Sequence, residues 1–378
     1  MKKTTIGIIT MHTPVNYGSH LQTFALYEIL HRWGYEVEII DYRYPTAYHK
    51  SLSESNSSIK GISWSQRIKK ILTFFCNLWV HSNNTLLLEK MDSFYRNNIK
   101  LSKSFNSYDA LATNPPMYDF YITGSDQVWN PNYVGYDKAY LLSWAPSGKR
   151  KIAYSASFGV KELPIEYEQL YKEELSKYDY ISVREDSPII HNLLGQHNNV
   201  VLDPTLLLDR FDWMKYAGKE PIIKGKYILC YILSYKFNPY PYVYSLVDHI
   251  KNVLGYRVVF LDNDPIRIMH GYTLANNKGP IDFVNLFLNS SFVITSSFHG
   301  TAFAINSNKP FISLINDGSD DNRQFSLIKK LGIDENCLVK CGDNPNTIKI
   351  PFIDYKIVNE QLKKQRDLSI CYLKKSLE

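Results

Sequence analysis

His299 stands at the point of the chain best suited to proton chemistry. Upstream, Phe292-Val293-Ile294 is a short apolar run, and Thr295, Ser296 and Ser297 end it with small polar residues. Downstream, Gly300 opens Thr301-Ala302-Phe303-Ala304-Ile305, which has the composition of a helix. Strand, tight turn and helix is the unit that builds ligand sites in α/β proteins. The first N–H groups of the helix lack partners within it, and its positive dipole end faces the turn. An anion is favoured there, and a histidine beside it can hold or move a proton near neutral pH. The turn alone leaves a second reading open, in which His299 only caps the helix or bonds a neighbouring carbonyl.

Other strand exits carry polar residues of the same kind. Ile6-Gly7-Ile8-Ile9 leads through Thr10 to Asn16-Tyr17-Gly18-Ser19-His20-Leu21-Gln22. The run Asp119-Phe120-Tyr121-Ile122-Thr123 leads into Gly124-Ser125-Asp126-Gln127-Val128-Trp129-Asn130. Tyr180-Ile181-Ser182-Val183 ends in Arg184-Glu185-Asp186-Ser187, and Val200-Val201-Leu202 ends in Asp203-Pro204-Thr205. The planar fork of Arg184 matches a carboxylate or phosphate; its alternative is a salt bridge with Glu185 or Asp186. Asp126 follows a strand and a glycine. It either deprotonates or hydrogen-bonds a substrate hydroxyl, or caps a helix N-terminus. Gly18 and Gly124 suit a close approach or a positive φ. Asn16 and Gln22 are polar contacts of the first loop. Asp203 reads as a structural turn residue, because Asp-Pro favours a turn.

This ordered set of motifs, from about Ile6 to about Gly332, resembles the polysaccharide pyruvyl transferase family. The resemblance implies a GT-B fold and transfer of a pyruvyl group from phosphoenolpyruvate to a sugar of a surface polysaccharide, or of its lipid-linked precursor, as a ketal. The enol C3 must gain a proton, a sugar hydroxyl must attack C2 as it loses one, and phosphate must leave. Such a site needs an acid, a base and cations for the donor. His299 and Asp126 are the expected catalytic pair. Arg184, Ser296, Ser297, Gly300, Thr301 and Arg323 are expected at the donor, and Asn16, Gly18, Gln22, Gly124, Ser125 and Gln127 at the acceptor. Many family members carry an arginine two residues before the histidine; this chain has Ser297 there. Arg323 is the second cation, or pairs only with Asp320 or Asp321. No metal and no cofactor are expected.

The elements that must position these residues alternate along the chain. Apolar strand runs between helical stretches predict parallel sheets covered on both faces. The fold class expected is α/β, with two doubly wound Rossmann-like domains facing a cleft. Residues 1–205 form the acceptor side, 206–345 the donor side and 346–378 a helical tail. Strands are expected at Glu36–Tyr42 and Asn199–Leu202, among others, and a helix at Thr85–Asn97. An insertion at about 45–81 interrupts the alternation. Within it, Ser51–Ser58 reads as a loop, and Trp64, Ile68, Ile71, Leu72, Phe75 and Trp79 recur at helical spacing beside Arg67, Lys69 and Lys70. That helix either packs on the first domain or lies on an anionic membrane surface.

Composition narrows the function classes. The chain has 378 residues, 44% of them hydrophobic, and a formal net charge of +6 that is not clustered into a nucleic-acid-like run. Its 5 cysteines form no metal framework, and the odd count suits a reducing, cytoplasmic compartment. No signal peptide or membrane span is expected, because no segment reaches about 18 apolar residues. Three rival readings are a GT-B transferase with a nucleotide-sugar donor, a non-catalytic binding protein that keeps the cleft, and a dinucleotide-dependent oxidoreductase. The last lacks a G-x-G-x-x-G after the first strand.

Overall fold

Two parallel sheets divide the chain. In a computed structural model of the protein, the described residues are 3–43, 64–234, 237–316 and 323–378, and the side chains of 64–78, 80 and 81 stand outside the description. The first sheet contains β1 (Thr5–Ile9), β2 (Glu36–Ile39), β3 (Phe120–Thr123), β4 (Arg150–Ala156) and β5 (Tyr180–Val183) in the order β2-β1-β3-β4-β5. The second contains β6 (Tyr227–Tyr231), β7 (Arg257–Phe260), β8 (Thr273–Leu274), β9 (Phe292–Thr295), β10 (Phe311–Ile315) and β11 (Leu338–Lys340) in the order β11-β10-β9-β6-β7-β8. The central strands are apolar because helices cover both faces: all five residues of β6 and all four of β9 are buried.

Both sheets reverse their strand order once, between β1 and β3 in the first and between β6 and β9 in the second. Ligands of open α/β sheets bind beyond the carboxyl ends of the strands at such a reversal. Asp126 leaves β3 at the first of these points, and His299 leaves β9 at the second.

The helices that bear on the site are α1 (Tyr17–Arg32), α2 (Trp64–Asn98), α3 (Pro204–Leu207), α4 (Phe298–Asn306), α5 (Arg323–Lys330) and α6 (Tyr355–Ser376). α1 belongs to the first sheet yet packs on the second domain: Tyr17 stacks on Phe283 at 4.9 Å, and its hydroxyl donates to the Lys278 carbonyl at 2.7 Å. α6 returns to the first domain, where Ser369 Oγ accepts from the Leu202 N–H at 2.9 Å and Arg366 Nε donates to the Leu206 carbonyl at 2.8 Å. One apolar core is therefore shared across the domain junction, and it includes Leu21, Phe24, Trp213, Phe283 and Phe303.

Several elements differ from expectation. Residues 199–202 are not a strand. Only a bridge joins Val183 to Val200, and the Leu202 N–H turns from the sheet to Ser369. The helix expected at 85–97 and the helical stripe at 64–80 form one helix, α2, because no glycine or proline interrupts 64–98. Within α2, Asn83 Oδ1 accepts from Asn276 Nδ2 at 2.6 Å and Asn277 Nδ2 at 2.5 Å of the second domain, and its Nδ2 donates to the Trp79 carbonyl at 2.7 Å. Strands β8 and β11 are too short to leave a periodic signal. The expected loop at Ser51–Ser58, the apolar and basic faces of the 64–80 stripe, and Asp320 and Asp321 all lie outside the described residues.

Candidate active site

Asn16, with extended backbone, caps α1: its Oδ1 accepts from the N–H groups of Gly18 at 2.8 Å and Ser19 at 3.4 Å. The cap fixes the first turn, and Ser19 Oγ then donates to Asp126 Oδ2 at 2.7 Å. Gln22, one turn on, is fully buried, and its amide nitrogen donates to Thr10 Oγ1, the Ser19 carbonyl and Thr23 Oγ1. Its placement braces the β1–α1 junction from inside. Thr10 Oγ1 reaches across to the Ser125 carbonyl at 2.7 Å and ties the exits of β1 and β3 together.

Asp126 sits at φ 76°, a left-handed conformation that aspartate tolerates better than most residues. Its Oδ1 accepts from the Gln127 N–H at 2.9 Å. It caps no helix; Asn130 caps the short helix Pro131–Val134. Gln127 Oε1 accepts from Asn130 Nδ2 at 2.7 Å, and Gly124 packs on Thr10 without a positive φ.

Arg184 leaves β5 and lies between three carboxylates. Its Nη1 is 3.2 Å from Asp203 Oδ2, its Nη2 is 3.6 Å from Asp126 Oδ1 and its Nε is 3.8 Å from Glu185 Oε2. The partner anticipated at Glu185 is present at the longest of these distances, and Asp203 holds the shortest. The guanidinium also lies 4.4 Å from the centre of the Phe298 ring. Its side chain is 1% exposed, yet Nε and Nη2 have no hydrogen-bond partner. Buried guanidinium nitrogens without partners are costly, and an anionic ligand would satisfy them.

The second domain supplies the opposite wall. Ser296 Oγ accepts from the Leu233 N–H at 2.7 Å and donates to its carbonyl at 2.8 Å, which pins the turn after β9. Ser297 caps α4 by accepting from the Gly300 N–H at 3.4 Å, and Thr301 Oγ1 donates to the Ser297 carbonyl at 3.1 Å. Gly300 is required by space, since a Cβ there would lie 2.1 Å from Thr295 Oγ1. His299 lies on the first turn of α4 with Nε2 3.5 Å from Asp203 Oδ2 and no hydrogen-bond partner at that nitrogen. Gly18 lies directly opposite, and a Cβ on it would come within 2.0 Å of His299 Nδ1. Gly18 is thus a close-approach glycine between domains. Arg323 begins α5, is buried, and places its guanidinium 5.8 Å from the Phe298 ring centre. Both guanidinium groups thus lie close to the Phe298 ring, next to Ser297.

The electrostatics keep the two carboxylates, Asp126 and Asp203, ionised. Burial pushes the Asp126 carboxyl up, but Arg184, His299, Ser19 and Arg323 together hold it below the usual carboxylate range. Burial acts the same way on Asp203, and His299, Arg184 and Thr205 outweigh it by more, so it lies far below that range. A carboxylate so held is a weak proton acceptor. Asp126 faces the Arg184 guanidinium at 3.6 Å and accepts from Ser19 Oγ at 2.7 Å. Asp203, Glu185 and Phe298 are the members of this cluster that the motifs did not single out as functional. Among the described residues no group of three or more His, Cys, Asp or Glu side chains is placed to hold a metal ion.

Comparison with known proteins agrees with this architecture. Of the solved structures, UDP-bound MnaA of S. aureus matches with a TM-score of 0.52 at 14% identity, covering 98% of this chain and 91% of its own. A putative UDP-N-acetylglucosamine 2-epimerase from Listeria monocytogenes gives 0.51 at 13% identity, covering 97% of this chain and 91% of its own. At such identities the likeness is one of fold, the GT-B arrangement of two Rossmann-like domains. No curated protein sequence gives a significant match. The family model described as polysaccharide pyruvyl transferase matches residues 16–318. That span starts at the cap of α1 and takes in both exits that meet at the junction, so the chain belongs to the polysaccharide pyruvyl transferase family.

Proposed function

We propose that the protein transfers the pyruvyl group of phosphoenolpyruvate to a sugar of a surface polysaccharide, carried on a lipid-linked precursor, and closes it as a ketal. One observation carries this reading: the buried Arg184 guanidinium, with two unpartnered nitrogens, lies near the unpartnered His299 Nε2, which comes from the other domain. Arg184, Arg323 and the α4 N-terminus supply positive potential for the donor's carboxylate and phosphate. His299 delivers a proton to C3 of the enol, which becomes a methyl group. The first acceptor hydroxyl forms its bond to C2 and gives up its proton, which restores the protonated His299; the C2–O bond to phosphate then breaks as a second hydroxyl takes its place and closes the ring. Its proton leaves with the phosphate. The acceptor approaches along the first-domain wall formed by Asn16, Gly18, Ser125 and Asp126.

Arg184 and His299 are each only 5% exposed, so the donor reaches them when the two walls part. The reading includes no cofactor, because the donor itself brings the reacting group. It places the enzyme on the cytoplasmic side, peripheral to the inner membrane face, where lipid-linked saccharides are built. Among the described residues no helix is long and apolar enough to cross a membrane.

The test is a donor comparison. Phosphoenolpyruvate should raise the melting temperature and bind by calorimetry, whereas nucleotide sugars should not. Arg184→Ala should weaken donor binding by about 1.5 kcal/mol or more, the scale of a charged hydrogen bond. His299→Ala should stay folded and lose about 10²–10⁴-fold in turnover, with loss of solvent deuterium entering the product methyl group. Stabilisation by a nucleotide sugar alone would replace this reading with a glycosyl transfer.

A further inference from the structure

We propose that Asp203 is a positioning residue of the transfer, the fixed anion that aligns His299 across the domain junction and holds it as a proton donor. The proposal rests on the pyruvyl-transfer reading and extends it to a residue whose Asp-Pro context suggested only a turn. Three observations carry it.

The first is rigidity. Asp203 caps α3, and its Oδ1 accepts from both the Thr205 N–H at 2.9 Å and Thr205 Oγ1 at 2.7 Å. One oxygen is thereby committed to the cap, and the carboxylate plane is locked. The second is the load on the other oxygen. Oδ2 accepts from Ser125 Oγ at 2.9 Å and Arg184 Nη1 at 3.2 Å, and it lies 3.5 Å from His299 Nε2. It is the one carboxylate oxygen among the described residues that meets both the donor-binding cation and the expected acid. The third is burial: the Asp203 side chain is fully enclosed, so its charge acts on its neighbours with little screening by water.

Consider the charges among the described residues that face His299. From the first domain come Asp203 at ion-pair distance, then Asp126 and Arg184, with Glu185 behind the guanidinium. From its own domain comes Arg323, whose guanidinium lies 5.8 Å from the Phe298 ring centre. Without Asp203 the imidazole would lose the one carboxylate at ion-pair distance among the described residues, while Arg184 would remain beside it. Its cationic form would lose its nearest counter-charge, and the ring would lose its anchor. Asp203 acts through His299 and touches no reacting atom.

Asp203→Asn is the informative variant, because asparagine retains the size and the helix cap while removing the charge. The measurement is kcat/KM for phosphoenolpyruvate as a function of pH. A group that must be protonated to act gives an alkaline limb. Loss of an anion close to it should move that limb to lower pH by about one unit or more. Asp203→Glu restores the charge, and it should return the limb to the wild-type position even where kcat stays low. A limb unmoved in Asp203→Asn, or moved as far in Asp203→Glu, overturns the proposal. If the asparagine variant does not fold, Asp203→Ala takes its place, with the same shift expected and an unmoved limb overturning the proposal. His299→Ala separates the two levels: full turnover in that variant sinks the transfer mechanism itself, whereas its inactivity beside an unmoved limb sinks only the role of Asp203.

Discussion

His20 shows what burial does to a single titrating side chain near the site. It lies on the first turn of α1, 3% exposed, with its ring stacked on Tyr95 at 4.4 Å and Nδ1 bonded to the Asn16 carbonyl at 3.1 Å. Burial lowers its pKa to about 3; the Asn16 carbonyl opposes this and His12 adds to it. An unfolded histidine titrates near 6.5, so the unfolded chain takes up the proton first as the pH falls. The contribution to stability is complete above about pH 6.5 and is lost progressively toward pH 3. Between pH 7 and pH 5 the loss should be about 2 kcal/mol. Urea unfolding at the two pH values should show it, and His20→Gln should reduce the difference by that amount. Parallel losses in both proteins would mean that His20 is not held neutral. Asp126 and Asp203 act at lower pH. Both are depressed in the fold, so their contribution is present above the ordinary carboxylate range and disappears only as the pH falls well below it.

At the scale of elements, the junction depends on how closely α1 approaches α4. A methyl group at Gly18 would lie 2.0 Å from His299 Nδ1 and 2.3 Å from its Cγ, far inside contact distance, so the ring or the helix must move. Gly18→Ala should therefore preserve each domain and lower turnover by about 10²-fold, the cost of misplacing a catalytic group by about 1 Å. Steady-state kinetics beside a thermal melt would show this; wild-type turnover would mean that the junction opens more widely in solution. The need for glycine at 18 was legible in the sequence, but its partner was not, because 281 residues separate it from the histidine. The same holds for Asp203: a strand exit followed by Asp-Pro shows the cap, while its contacts with Ser125, Arg184 and His299 are made by the fold. The alternation of strands and helices was legible because apolar runs buried on both faces leave a dense local signal. Where the signal is not local it misled. Residues 199–202 have the composition of a strand, but the Leu202 N–H is taken by Ser369 of the terminal helix, and the two helical stretches expected at 64–80 and 85–97 run on as one helix.

Across the whole molecule the two domains share too much apolar surface to behave as independent bodies. Tyr17 of α1 meets Phe283, and Phe283 meets Phe287 at 4.5 Å and Phe303 at 5.2 Å. Trp213, on the segment that crosses between domains, packs on Phe24 on one side and Phe303 on the other. α6 then closes the crossing by binding Leu202 and Leu206. Separate melting would expose this surface while each sheet remained folded, at a cost in apolar area that neither domain recovers alone. Calorimetry should therefore show one transition whose van't Hoff and calorimetric enthalpies agree. Phe283 is fully buried at the centre of the shared surface. Phe283→Ala should cost about 3–5 kcal/mol, and it should lower the melting of both domains together. Tryptophan emission from Trp129, which lies in the first domain's own core, would report one side, and hydrogen exchange at β7 the other. A variant in which β7 loses protection while Trp129 keeps its native signal would show that the junction separates before the sheets do. In that case the parting of the two walls that admits the donor would extend through the shared core rather than stay local to Arg184 and His299.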